Sequence, residues 1–200
     1  MNETTTIDPK AVFINAPFDH VYEPLFITLV GLLTFLDYKA HCVLEIRETG
    51  EGRLQRIYEL MRRSRISLHD MSRIGTPARF NMPFELGLAC SLKLADPTAY
   101  EIIVFDSKPY RMDRRLSDYK GRDFYIHHGT QTGIIAAILD AFQSPGFGVA
   151  PLRHALRDVR TWAEQMKRDL YLETIFHPHL FSTLVQTAAK AAATHGLLAP

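Results

Sequence analysis

Short runs of consecutive apolar residues alternate along this chain with stretches whose apolar residues recur every three or four positions. Residues 11–16 (AVFINA) are rich in β formers, stop at Pro17 and predict a buried strand. Residues 22–36 carry helical spacing, with Pro24 tolerable in the first turn. A second strand is expected at 41–46 (HCVLEI), then a turn at 49–52. Leu54, Ile57, Tyr58, Leu60 and Met61 mark one face of a second helix. Residues 65–69 (RISLH) read as a third strand closed by Asp70. After a polar loop, Pro83 opens a third helix to about Leu94. A fourth strand at 101–105 (EIIVF), a weaker fifth at 124–127 and a helix at 132–142 complete the alternation. Two more helices, 152–171 and 180–196, follow the linker SPGFG at 144–148 and are broken near Pro178.

Strands of four to six residues separated by helices predict an α/β fold, a flavodoxin-like open parallel sheet of about five strands with helices on both faces. The linker divides the expected α/β domain, 1–143, from a C-terminal helical extension, 144–200. Composition narrows the function. The 200 residues are 46% hydrophobic and 22% charged, with a net charge of +1. That excludes disorder and the global basic field of a protein that wraps nucleic acid. The longest apolar run, 25–36, falls short of the roughly 20 residues that span a bilayer. Cys42 and Cys90 make no disulfide framework, and the polar start MNETTTIDPK has no signal-peptide core. A cytoplasmic protein is the expectation.

In such a sheet, ligands bind at the carboxyl ends of the strands, beside the point where strand order reverses. Three loops meet there. The first carries Asn15, Pro17, Phe18 and Asp19. The second carries Glu45, Arg47 and Glu48, and the third runs from Asp70 to Asn81 and leads to Glu85. With Met82 as N-cap and Pro83 as first helical residue, Glu85 falls third in its helix. One reading of that position is a capping-box glutamate. The other is a carboxylate held ionised near the helix dipole and turned towards a ligand, able to stabilise an oxocarbenium-like sugar or attack its anomeric carbon.

The segment RFNMPFELGLA, from Arg79 to Ala89, resembles the glutamate-bearing helix start of nucleoside 2-deoxyribosyltransferase-like domains, and the related TIR-like NAD+ hydrolases also use a glutamate. The opening VFINAPF resembles their first strand and loop, Asp70 matches their strand-end aspartate, and Gly75-Thr76 lies in the intervening loop. The likeness covers about residues 11–142. It implies Glu85 as nucleophile or charge stabiliser and Asp70 as a ligand-orienting or proton-handling group. Those transferases usually carry a second acidic residue shortly before the glutamate; Arg79 and Asn81 stand there instead. A guanidinium suits a phosphate better than a sugar hydroxyl.

The overall balance also hides a local excess. Between positions 47 and 79 there are eight arginines (47, 53, 56, 62, 63, 65, 73 and 79) against Glu48, Glu51, Glu59 and Asp70. The expected ligand is therefore a small phosphorylated nucleotide, NAD+ among the substrates considered, with no bound cofactor or metal. Glu85 and Asp70 are the candidate catalytic residues; Asn15, Pro17, Phe18, Arg47, Arg79 and Asn81 are the candidate binding residues. Phe18 and Tyr22 have an alternative as a packing staple beside the helix start, and His69 as a half-buried strand histidine. His127-His128 and His177-Pro178-His179 lack a third metal ligand at sensible spacing, and no phosphate-binding glycine loop is present. Two other roles fit the same fold: a nucleotide-sensing module without turnover, and an assembly domain forming a homo-oligomer through its C-terminal helices, where Trp162 would lie.

Overall fold

A computed structural model describes residues 6–45, 52–73, 80–119, 123–144 and 148–197. Its strands are β1 (Asp8–Asn15), β2 (Lys39–Cys42), β3 (Ser64–Asp70), β4 (Glu101–Asp106) and β5 (Tyr125–Ile126). They form one sheet in the order β2-β1-β3-β4-β5, and β1 runs parallel to β2 and β3, as β3 does to β4. This is the flavodoxin-like α/β order. The helices are α1 (Glu23–Phe35), α2 (Arg53–Arg63), α3 (Asn81–Ala95), α4 (Arg111–Arg115), α5 (Gln131–Ala141), α6 (Val149–Asp169) and α7 (Pro178–Thr194). None of the described helices is long and apolar enough to cross a membrane.

The chain forms two compact units, each discontinuous in sequence. One comprises residues 1–17 and 39–124, the other 18–38 and 125–200. In the first, the central strands are buried without alternation, Ala11 to Asn15 in β1 and Ile66 to Asp70 in β3, as strands covered on both faces must be. Register places Ile14 beside Leu68 and Asn15 beside His69. α2 turns Ile57 and Met61 towards Phe13, Ala89 and Tyr100. A neighbouring cluster joins Met82 and Leu86 of α3 to Met71, Val104 and Met112. β2 stops four residues before its expected end. There the Glu45 carboxylate accepts a hydrogen bond from the Cys42 backbone N–H (2.9 Å), so the chain curls into a 3-10 turn over Val43–Glu45.

The second unit is built round α1. Every residue of that helix except Pro24 is buried, and α5, α6 and α7 pack against it. A helix apolar on all sides has no face to give to water. Its one charged residue is Glu23, whose carboxylate accepts from Lys167 Nζ (3.0 Å) and from the Ile175 backbone N–H (3.3 Å). Hydrogen bonds from Thr174 and Lys167 and the Lys167 charge outweigh burial and hold its carboxyl below the ordinary range. The segment 144–200, expected as an appended extension, thus shares a unit with α1 and α5.

α5 starts at a tight junction. The Thr130 side chain accepts from the Gly133 backbone N–H (3.0 Å), and a Cβ at Gly133 would lie 1.9 Å from the His127 carbonyl oxygen. Backbone cannot yield there as the tip of a side chain could. Gly133→Ala is therefore expected to destabilise the protein by about 2–3 kcal/mol, despite the roughly 1 kcal/mol that alanine gains over glycine within a helix. Urea unfolding measures this, and unchanged stability would contradict the contact.

Candidate functional site

The order β2-β1-β3 makes the carboxyl ends of β1 and β3 the point where the sheet's winding reverses. Asn15 closes β1 there. Its side-chain amide nitrogen donates to His69 Nδ1 (3.1 Å) and to the Met82 carbonyl (3.3 Å). With Nδ1 accepting, His69 carries its proton on Nε2 and donates to Ser67 Oγ (2.6 Å). His69 is fully buried, and desolvation pushes its pKa down to about 3. It is a neutral strut. The fixed tautomer and the burial exclude it as a base for a ligand, in keeping with the strand-histidine reading.

Asp70 is also fully buried. It accepts from the Ser72 backbone N–H (2.8 Å) and from the Ser72 hydroxyl, closing a turn immediately after β3. Met71 N–H then donates to the Phe105 carbonyl (2.8 Å), which ties this turn to β4. Asp70 thus sits beneath the rim and shapes the loop.

α3 begins two residues before the start read from the sequence. Phe80 is its N-cap residue, with no side-chain capping bond, and Asn81 is its first helical residue. Pro83 costs nothing at the third position, because the first four N–H groups of a helix have no intrahelical acceptor. Glu85 consequently falls fifth, a full turn from the free amides, and is no capping-box glutamate. The dipole weakens beyond the first turn, and the carboxyl is not held ionised as anticipated. Burial pushes its pKa up to about 7, against a hydrogen bond from the Asn81 side chain and the charge of Arg53. Asn81 is exposed and Glu85 half-buried, so a carboxyl that titrates near neutrality stands at the edge of the strand-end rim, braced by the residue one turn before it.

Two residues beside it were not singled out by sequence. Phe80 is 80% exposed and Phe84 55%. Both lie off the helix face formed by Met82, Leu86 and Ala89, which is buried. The legible signal was a pair of phenylalanines four apart, out of phase with the core positions. The other unforeseen feature is cationic. At the end of β4 the Arg111 guanidinium donates to Asp106 from Nε (3.1 Å to Oδ2) and from Nη2, and also to the Met71 carbonyl and Ser107 Oγ (each 3.2 Å). Asp106 is fully buried, which makes this a charge-assisted anchor for the turn. Lys108, Pro109, Arg111, Arg114 and Arg115 line a cavity of about 470 Å3 beside it.

The remaining expected residues fall as follows. Pro17 is buried just after β1. Phe18 belongs to the second unit, where it stacks on Phe176 (4.7 Å between centroids) and meets Phe26 edge-on (5.7 Å), the packing role that sequence offered as its alternative. Arg47, Arg79 and Gly75-Thr76 lie outside the described residues. The structure therefore joins Asn15 and His69 to the start of α3, joins Asn81 to Glu85 and sets Asp70 under the rim. Among the described residues no three His, Cys, Asp or Glu side chains converge as a metal site would require.

No family model and no curated protein matches this sequence.

A carboxyl whose native pKa is about 7 against 4.5 when free binds more protons folded than unfolded between those values. Its native state is relatively favoured below pH 4.5 and loses that advantage as pH rises towards 7. Glu85→Gln, which stays neutral, is therefore expected to be more stable than the wild type by about 1–2 kcal/mol at pH 8, after discounting for solvent screening, and to lose that margin by pH 4.5. Denaturant midpoints at the two pH values test it; an equal difference at both would contradict the raised pKa.

Proposed function

We propose that the strand-end site breaks, or transfers across, the N-glycosidic bond of a phosphorylated nucleoside, NAD+ or a related nucleotide. The observation that carries this reading is the half-buried Glu85 carboxyl, titrating near 7 at the rim where open α/β sheets take ligands. Cleavage breaks the bond between the ribosyl anomeric carbon and the base nitrogen, and the electron pair leaves with the base. Positive charge grows on the ribosyl ring, and ionised Glu85 stabilises it. Water then adds its oxygen to the anomeric carbon and passes its proton to the same carboxylate, a transfer that a base of pKa near 7 performs well at neutral pH. From NAD+ the base leaves as neutral nicotinamide, so no proton donor is needed on that side.

The neighbouring groups have roles in keeping with this chemistry. Asn81 orients the carboxylate, and Phe80 and Phe84 offer exposed rings on which a base can stack. The cationic cavity lined by Lys108 and Arg114 offers phosphate contacts in the same unit. Asn15, His69 and Asp70 set the positions of these groups from below.

That burial also favours a second reading. With those three side chains committed to internal hydrogen bonds, the same rim suits a module that binds a nucleotide and senses it without turnover. Incubation of purified protein with NAD+ and with nucleoside phosphates, followed by chromatography of the free base, separates the two. Turnover should fall at least a hundredfold in Glu85→Gln while the nucleotide still raises the thermal midpoint. Midpoint stabilisation with no free base would transfer the assignment to the sensing module, and base release unaffected by Glu85→Gln would remove Glu85 from the chemistry.

A further inference from the structure

The second unit holds a cavity of its own. It measures about 200 Å3 and is lined by Thr28 of α1, Gln131, Thr132 and Ile135 of α5, and Arg153, Leu156, Arg157 and Arg160 of α6. The positions 153, 157 and 160 fall on one face of a helix, so three arginines line one small space. Arg160 is partly answered, donating to Gln131 Oε1 (3.5 Å) and lying 3.8 Å from Glu164. Arg153 and Arg157 form no ion pair among the described residues, and both are exposed. Like charges four apart on a helix repel, so this arrangement carries a cost that an anion in the cavity would remove. Across the space, Gln131 and Thr132 are the first two residues of α5, while the Thr130 side chain is occupied in capping Gly133. The backbone N–H groups of those two residues are left over from the helix ladder and add to the positive field.

Volume restricts the occupant. Pockets that enclose a drug-sized ligand run from roughly 300 to 1,000 Å3, so a nucleotide does not fit inside this one, whereas a tetrahedral oxyanion does. Charge points the same way, because planar guanidinium forks match phosphate oxygens in pairs. We propose that the α5–α6 cavity of the second unit is a phosphate-dianion site, held by Arg153, Arg157 and Arg160 with the first amides of α5, for free phosphate or the headgroup of a phosphomonoester. It stands independently of the strand-end chemistry, since none of its residues belongs to that site.

Calorimetric titration of the full chain with inorganic phosphate, with glycerol phosphate and with chloride at matched ionic strength tests it. Phosphate or glycerol phosphate should bind and chloride should not; the tighter of the two identifies the natural form as free ion or headgroup. The variant carrying Arg153→Gln and Arg157→Gln should bind at least tenfold more weakly, with an unchanged far-UV circular dichroism spectrum. In amide NMR spectra of the wild type, phosphate should move the Gln131 and Thr132 signals. Lys190→Gln, exposed on α7 and lining neither cavity, should leave that binding intact. Phosphate behaving no differently from chloride, or binding as tightly in the double variant as in the wild type, would overturn the proposal.

Discussion

The side-chain amide of Asn15 holds three separate pieces of chain at one point: the end of β1, His69 near the end of β3, and the Met82 carbonyl in the first turn of α3. A buried amide needs partners for its donors, and leaving them unmet costs about 1–3 kcal/mol each. Their geometry therefore specifies where α3 starts relative to the sheet. Everything attributed to the candidate site follows from that placement, because Glu85 and Asn81 ride on the helix so fixed. The clamp works only while His69 is neutral, and its burial ensures that at any ordinary pH.

Beside this rigid anchor sits a group whose environment works against it. Glu85 is neither an exposed surface carboxylate nor one paired at close range, and burial raises its pKa despite the Asn81 hydrogen bond and the Arg53 charge. Glu23 shows the contrast within the same chain. It too is largely buried, but Lys167, Thr174 and the Ile175 amide hold it ionised, and its work is structural, fastening α1 to the end of α6 and the loop that follows.

Much of the fold was legible because the central strands are buried on both faces and the helices are long and periodic. What stayed hidden depended on contacts distant in sequence or on short polar segments. The early end of β2 turns on one Glu45 hydrogen bond. α4 is five residues, mostly charged, and is held by the Asp106–Arg111 pair, so no apolar period announces it. Asn15 reads as a binding residue because it lies on a strand-end loop; its hydrogen-bond partner His69 is 54 positions away. Glu85 lies two positions later in its helix than the sequence suggested, and burial, which no periodicity announces, raises its pKa to about 7.

We propose that one carboxyl, tuned by burial, performs the chemistry of the strand-end site. The most direct test compares two curves: the pH titration of the Glu85 carboxyl carbon, followed by NMR in selectively labelled protein, and the pH dependence of base release from NAD+ or a related nucleotide. Both curves are expected to inflect near pH 7, and the carbon signal to be lost in Glu85→Gln. A Glu85 titration near 4.5, the value of an unburied glutamate, or a rate profile that ignores its ionisation would contradict it.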